Sequence, residues 1–208
     1  MRTLLDMLFG DTLWKLWSRI MTVILRAWGL RVGDNLLLKG TLLLKLNGRR
    51  ENIIIGNNVT ISGTLDLRNR ENGTIILRDN VVVDGPFRLV AARDAVLEVG
   101  EGCALTPYGL INAGADIRIG AGSIIGPRCS VNASEHVFSR HTPVRQAGYT
   151  HAPVRIGADC WLAANVSVTK GVTIADGSII GANAVVTKDT EAYSVNAGVP
   201  ARPIGQRR

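Results

Sequence analysis

The sequence has few aromatic residues, few cysteines and no long uninterrupted hydrophobic run. Aromatic side chains make up 5% of the 208 residues, although the hydrophobic fraction reaches 46%. A core of this composition is expected to consist of stacked aliphatic side chains. Three cysteines cannot all pair with one another, so Cys103, Cys129 and Cys160 are expected to be buried free thiols in a reducing, cytoplasmic compartment.

The basic residues lack the arrangement of a nucleic-acid-binding surface. The chain carries 24 Lys and Arg against 17 Asp and Glu, a net charge of +7, but these residues are scattered. No basic patch is interleaved with aromatics and no nucleic-acid motif occurs, so no nucleic-acid partner is predicted. An acidic small ligand, an anionic membrane surface or solubility alone accounts for the charge. No cleavable signal peptide is predicted either, since no apolar stretch leads to a small-residue cleavage site.

The dominant feature that is present is a period of six residues. Between residues 156 and 190 every sixth residue is aliphatic, and the fifth position of each block is small or apolar. This period fits neither a helix of 3.6 residues per turn nor an alternating strand. It is typical of a parallel β-helix, in which each short strand turns a corner. The aliphatic positions are Ile156, Leu162, Val168, Ile174, Ile180 and Val186.

The upstream part of the repeat is longer. Ile55, Leu77 and Val99 are spaced at 22 residues, which predicts a coil of about 18 residues with about four more at one corner. Asn58 and Asn80 are expected at corners because asparagine tolerates left-handed backbone conformations. One domain is therefore predicted, with a helical segment at residues 1–31 and the β-helix at 32–208.

Residues 3–28 form the predicted helix. Apolar residues recur at helical spacing from Asp11, the expected N-cap, and Gly29 is expected to end the helix. Basic residues interrupt the apolar positions too often for a membrane-spanning segment. Two interpretations are open for this amphipathic helix. It packs on the β-helix or on a neighbouring subunit, or it lies as a basic, Trp-bearing helix in a membrane surface.

Residues 132–155 interrupt the repeat, which then resumes in phase, so they are predicted to form a loop inserted into the coil. The loop contains all three histidines of the chain, His136, His141 and His151. Long loops on rigid scaffolds often carry function. Three roles are open for these histidines: binding a divalent metal, acting as a general base toward an activated acyl group, or only bonding a loop carbonyl.

Several motifs together resemble the hexapeptide-repeat acyltransferases, in particular the maltose, galactoside and xenobiotic acetyltransferase branch. They are the six-residue array, the His-bearing loop, residues 153–165 (PVRIGADCWLAAN), residues 177–189 and residues 197–204. The resemblance implies an all-β fold, a left-handed parallel β-helix with an inserted active-site loop and the N-terminal amphipathic helix. It also implies a homotrimer that binds acetyl-CoA between neighbouring subunits. The implied activity is acetyl-CoA-dependent O-acetylation of a saccharide or polysaccharide-precursor hydroxyl.

The resemblance further implies roles for individual residues. His136 matches the catalytic base. Ala163 and Ala164 match the corner whose backbone N–H groups stabilise the oxyanion, where the family usually has Gly in place of Ala163. No metal is implied. The residues that match the acetyl-CoA site are Trp161, Ala164, Ala182, Thr187, Lys188 and Arg202.

The acceptor residues and the rival functions are less constrained. The galactoside branch has an Asn upstream of the base that this chain lacks, so Asn112 is the nearest amide for the acceptor. Arg140 could meet an anionic acceptor or a CoA phosphate. The rival functions are N-acetylation of an amino sugar nucleotide or a xenobiotic, a β-helical metalloenzyme of the carbonic anhydrase kind, and a non-catalytic scaffold. Residues 3–28 suggest an acceptor near the inner membrane.

Overall fold

Short strands alternate with tight corners along almost the whole chain in the computed structural model, which describes residues 10–208. Residues 3–9 of the expected helix lie outside the described part. The predicted parallel β-helix is confirmed, because successive coils pair in parallel. The helices are α1 Thr12–Ala27 and α2 Val144–Ala147, with a 3-10 turn at Arg50–Asn52. The strands are β1 Arg31–Val32, β2 Leu37–Leu46, β3 Ile53–Ile55, β4 Thr60–Asn69, β5 Thr74–Leu77, β6 Val82–Asp84, β7 Phe87–Ala91, β8 Val96–Val99, β9 Ala104–Leu105, β10 Leu110–Ala113, β11 Ile117–Ile119, β12 Ile124–Ile125, β13 Ser130–Asn132, β14 Ser134–His136, β15 Tyr149–His151, β16 Val154–Ile156, β17 Trp161–Leu162, β18 Ser167–Val168, β19 Thr173–Ile174, β20 Ile179–Ile180, β21 Val185–Val186, β22 Ser194–Ala197 and β23 Arg202–Gln206.

The strands stack in three ladders that form the sides of a prism. Side 1 contains β1, β3, β5, β8, β11, β16 and β19. The long strands β2 and β4 bend at Gly40 and Gly63 and run across two sides. A Cβ on Gly40 would overlap the carbonyl of Gly63, so this bend needs glycine. From β2 and β4, side 2 continues through β6, β9, β12, β17, β20 and β22, and side 3 through β7, β10, β13, β18 and β21.

Each side contributes a column of aliphatic side chains to one continuous core. The repeat places these residues opposite one another in successive coils, so each packs on its equivalent above and below. Full burial of such a side chain stabilises the fold by about 1.5–3 kcal/mol. On side 1 the buried column is Ile55, Leu77, Val99, Ile119, Ile156 and Ile174.

The extra residues of the early coils lie at one corner, as predicted. Leu77, Val83 and Leu89 follow one another at six-residue spacing, but ten residues separate Leu89 from Val99. The additional chain therefore lies at the corner from side 3 to side 1. Asn58 and Asn80 adopt φ values of 55° and 61° at the corner from side 1 to side 2, which confirms their predicted conformation.

The ends of α1 are fixed by different interactions. Asp11 precedes the helix, but its carboxylate does not cap it and instead pairs with Lys39 Nζ at 2.8 Å. Gly29 has a φ of 93° and ends the helix as predicted. The Leu30 N–H donates to the Leu25 carbonyl at 3.1 Å, and both side chains are buried, as in a Schellman motif.

The helix contacts the coil through a face that its hydropathy pattern does not predict. Ser18, on the polar side in sequence, is buried, and its Oγ accepts the Leu38 N–H at 2.7 Å. The broader apolar face of α1 is exposed. No helix within residues 10–208 has the length and hydropathy needed to cross a bilayer.

The three cysteines occupy inward-facing positions close to corners. Cys103, Cys129 and Cys160 are free and buried, as expected. Burial raises the pKa of each thiol above its ordinary value, since the charged thiolate loses solvation.

We predict that none of the three thiols reacts with 5,5′-dithiobis(2-nitrobenzoate) in the native protein at pH 8, because the thiolate is the reactive form. All three should react after unfolding in guanidinium chloride. The released chromophore measures the number of accessible thiols in each state. One equivalent released at once from native protein would contradict the burial of these residues.

Candidate active site

The inserted loop is an antiparallel hairpin that leaves the corner between side 3 and side 1. Its strands β14 and β15 pair with Ser134 opposite His151 and with His136 opposite Tyr149, and α2 lies near its tip. The coil continues past it without loss of register, because β16 pairs with β11. The hairpin is therefore an attachment to an uninterrupted prism.

A polar cluster fixes the base of the hairpin. Ser134 Oγ lies 2.9 Å from Nδ1 of His151, and Nε2 of His151 lies 3.5 Å from an Arg93 guanidinium nitrogen. Gly114 lies directly beneath, and a Cβ there would collide with both Ser134 and His151. The sequence assigned no role to His151, and the structure gives it an anchoring one. In the sequence, the only indication of a role for His151 is that it lies in the same loop as His136.

His136 is exposed on the hairpin beside an aromatic ring. Its ring centroid lies 4.1 Å from that of Tyr149, with the planes inclined at 37°. No hydrogen bond joins its imidazole to residues 10–208, so the interpretation that it only bonds a loop carbonyl does not hold. The neighbouring Glu135 carboxylate pairs with Lys170 Nζ at 3.2 Å, which ties this strand to the next coil. The imidazole is thus held in place with its nitrogens available.

Side 3 presents polar side chains next to the hairpin. Asn112 and Asn132 are adjacent in the ladder, and Asn132 lies two residues before Ser134. The amide nitrogen of Asn132 donates to Ser130 Oγ at 2.8 Å. Asn112, predicted for the acceptor, is therefore close to the base of the hairpin. A second outward-facing column on side 3 lies two residues earlier in each strand and consists of Asp66, Arg88, Leu110, Ser130, Ser167 and Val185.

The predicted oxyanion residues lie at the corner between side 2 and side 3. The Ala163 N–H donates to the Ile180 carbonyl at 2.9 Å as part of the ladder. The Ala164 N–H has no acceptor among residues 10–208, and neither has that of Ala182 in the next coil. The equivalent position in the preceding coil is Pro127, which has no N–H to lose. Ala164, and not Ala163, is the member of the predicted pair with a free backbone donor.

The predicted residues form two groups within one chain. Thr187 and Lys188 follow β21 at the corner that carries the hairpin, while Arg140 is exposed near the hairpin tip. Trp161 is half exposed on side 2, and Arg202 lies on β23 beyond β22. One group therefore lies at the corner from side 3 to side 1, with Thr187 and Lys188 two rungs beyond the base of the hairpin. The other group, which includes Ala164, occupies side 2 and the corner from side 2 to side 3.

The two groups lie at different corners of one chain. His136 is two residues from Ser134, so its backbone stays within about 7 Å of its corner. One side of the prism holds roughly six residues at no more than about 3.3 Å each, so the corners are up to about 20 Å apart. A whole side of the prism therefore separates the corner of His136 from the corner of Ala164. Among residues 10–208 no group of three or more His, Cys, Asp or Glu is arranged to hold a metal ion.

Comparison with known proteins relates this architecture to a known family. Residues 153–188 match the family described as bacterial transferase hexapeptide (six repeats). Galactoside O-acetyltransferase of Escherichia coli is 37% identical over 89 residues, which are 42% of this chain and 43% of that protein. The dTDP-4-amino-4,6-dideoxy-D-glucose acyltransferase of Escherichia coli is 29% identical over 159 residues, 74% of this chain and 81% of that protein. The chain belongs to this hexapeptide-repeat family, and both of these relatives are named as acyltransferases.

This hexapeptide-repeat chain aligns with only part of several relatives. It spans 50%, 43% and 66% of the length of the first three curated relatives. Among solved structures, the hexapeptide-repeat acetyltransferase VCA0836 of Vibrio cholerae O1 biovar eltor, complexed with acetyl coenzyme A, is 26% identical. The two structures superpose with a TM-score of 0.53 over 62% of this chain and 72% of that chain.

We predict that Ser134→Ala loosens the hairpin without unfolding the prism. Loss of one hydrogen bond costs about 1 kcal/mol, which raises the open population of the hairpin about fivefold. Limited trypsin cleavage after Arg140 and Arg145 should accelerate by that factor, with little change in Tm. Thr150→Val is the matched control. The Thr150 hydroxyl is exposed, and its hydrogen bond to the Glu135 carbonyl is long, at 3.5 Å, so its loss should have little effect. Equal cleavage rates in the two variants would refute the anchoring role.

Proposed function

We propose that this hexapeptide-repeat acetyltransferase transfers an acetyl group from acetyl-CoA to a hydroxyl of a saccharide, with His136 as general base. The observation that carries the proposal is the exposed His136 imidazole, which forms no hydrogen bond with residues 10–208, on a hairpin anchored through Ser134 and His151. The family to which the chain belongs supports the donor. The buried free thiols agree with a cytoplasmic enzyme.

The residues present fit a CoA thioester. When bound, acetyl-CoA supplies an acyl group that is already activated, so no acyl-enzyme is needed. Half-exposed Trp161 offers apolar surface, and the N–H groups of Ala164 and Ala182 can donate to carbonyl oxygens. Lys188 and Arg202 are exposed cations suited to the phosphates. Thr187 is an exposed hydroxyl beside Lys188.

The chain's own groups then have distinct roles. His136 accepts the proton of the acceptor hydroxyl while the hydroxyl oxygen bonds to the acyl carbon. As the bond between the acyl carbon and the CoA sulfur breaks, His136 returns that proton to the sulfur. The Ala164 N–H donates to the acyl oxygen as negative charge develops there. Asn112 and Asn132 orient the acceptor beside the hairpin, and Arg140 contacts an anionic group on the acceptor or on CoA.

A second copy of the chain would complete the site. The corner that carries His136 and the corner that carries Ala164 are separated by a whole side of the prism. Cyclic assembly brings different corners of neighbouring copies together. The assembly we propose is a homotrimer with three sites, each built from two chains.

N-acylation of an amino sugar is the second candidate. It is favoured by the alignment with dTDP-4-amino-4,6-dideoxy-D-glucose acyltransferase, which covers 81% of that protein. An imidazole base serves an amine as well as a hydroxyl. The product discriminates between the candidates, because mild alkali releases acetate from an ester and not from an amide. Metal analysis and a search for any acyl transfer test the metalloenzyme and scaffold alternatives.

We predict that His136→Ala lowers kcat by roughly 10²–10⁴-fold, the usual contribution of a positioned base. The Kd for CoA should stay within twofold of wild type, since His136 acts on the acceptor. His141→Ala is the control and should retain full activity. Transfer rates are measured from released CoA thiol. Unchanged transfer by His136→Ala would remove the proposed base.

We predict that two inactive variants restore activity when they share a trimer. Ala164→Pro removes only a free N–H at a position where the preceding coil already has Pro127, and should lower kcat about 10²–10³-fold. In mixed trimers with His136→Ala, purified through two affinity tags, one site in three combines an intact His136 with an intact Ala164. Activity of about one third of wild type is expected. No recovery would show that each site lies within one chain.

A further inference from the structure

The apolar face of α1 is oriented away from the coil. Seven large apolar side chains on this face have between 39% and 66% of their surface exposed. Together they form a single stripe along the helix and are called the outer face of α1 below. They are Leu13, Leu16, Trp17, Ile20, Val23, Ile24 and Trp28.

Polar contacts specify this orientation. Ser18 Oγ is buried against the Leu38 N–H, while the Arg26 guanidinium bonds to the Val32 and Gly33 carbonyls and to Asp34 at 2.7–2.9 Å. At 100° per residue, the outer face lies roughly 120° around the helix from the docked face. Burying the outer face on the prism would require rolling the helix and breaking all of these bonds. The coil itself therefore does not cover it.

The charges beside the outer face favour a lipid surface as its occupant. Residues Thr12–Ala27 contain no acidic residue and three basic ones. Arg19 borders the outer face, and Lys15, four residues earlier, lies about 40° further toward the docked face. Neither forms an ion pair with residues 10–208. An apolar stripe with Trp beside basic residues is the composition of helices that lie in an anionic membrane surface. The core of a subunit interface is instead depleted of Lys.

The position of α1 in the fold suits such a contact. The helix packs on β1 and β2, the first coil, so it lies at one end of the prism. Cyclic symmetry would place three copies at the same height on the axis, where they could contact one surface together. The hairpin follows the fifth coil, so it lies four rungs, or about 19 Å, from the first coil along the axis of the prism. This spacing suits an acceptor that extends from the membrane.

We propose that the outer face of α1 inserts into the interfacial region of an anionic lipid bilayer, with Arg19 at the headgroup phosphates. The contact does not depend on the acyl transfer or on the trimer proposed above. In this proposal, the basic residues beside the outer face bind the phosphate groups of anionic phospholipids.

Vesicle flotation with the full chain tests this proposal. Wild-type protein should float with vesicles of phosphatidylcholine and phosphatidylglycerol, bind weakly to phosphatidylcholine alone, and dissociate as salt screens the charges. Ile20→Glu should lower the partition at least tenfold. Val82→Glu is the control, because Val82 is similarly exposed but lies on side 2. It should float like wild type.

The proposal is overturned if Ile20→Glu floats like wild type. In that case, dissociation of the oligomer in Ile20→Glu would make the outer face a protein interface. Loss of flotation on removal of residues 1–9 would instead place the lipid contact outside α1. Acetyl transfer to a small soluble acceptor should be unchanged in Ile20→Glu, so failure of this proposal is distinguishable from failure of the proposed chemistry.

Discussion

The hydrogen-bonded ladder between successive coils is the constraint on which the rest of the structure depends. Each backbone N–H on a side donates to the coil next to it, as the Ala163 N–H does to Ile180. Aliphatic residues at every sixth position fill the interior, so the prism leaves no space for a ligand inside. Chemistry is therefore confined to what departs from the ladder: outward side chains, corner N–H groups without a partner, and the inserted hairpin. These are the features that converge on the proposed site.

The hairpin can carry a catalytic group because the ladder closes beneath it. The Ala152 N–H donates to the Ala133 carbonyl, and Val154 then donates to Asp116 at 2.9 Å, so the chain returns to the coil where it left. The bond between Ser134 and His151 lies directly above this closure. An imidazole two residues from such an anchor would lose little entropy on binding a substrate, as the proposed role of a positioned base requires. The hairpin is long in sequence, but the part between the coil and His136 is short.

The sequence predicted the coil, the place of the insertion and the existence of α1, because each depends on a local period or on its interruption. It did not predict the orientation of α1. A hydropathy pattern shows that two faces differ but not which one the protein covers, and the Ser18 bond to Leu38 decided that here. Nor did it separate Ala163 from Ala164. Pro127, the equivalent of Ala164 in the preceding coil, could have distinguished them. A proline has no N–H, so its presence shows that the ladder does not need a donor at this position. The role of His151 depends on pairing across the hairpin, which no local pattern encodes.

Rigidity explains why the active site and the membrane contact are proposed at different places on one chain. A stacked prism neither bends nor shortens, so the corners that hold His136 and Ala164 keep a whole side between them, and the proposed site takes one corner from each of two copies. The same rigidity keeps the outer face of α1 at one end and the hairpin several rungs away. An acceptor anchored in the membrane would then be selected by its reach along the prism as well as by the side chains at the base of the hairpin. If both proposals hold, the number of coils would contribute to specificity, because each added rung would move His136 about 4.8 Å further from the lipid.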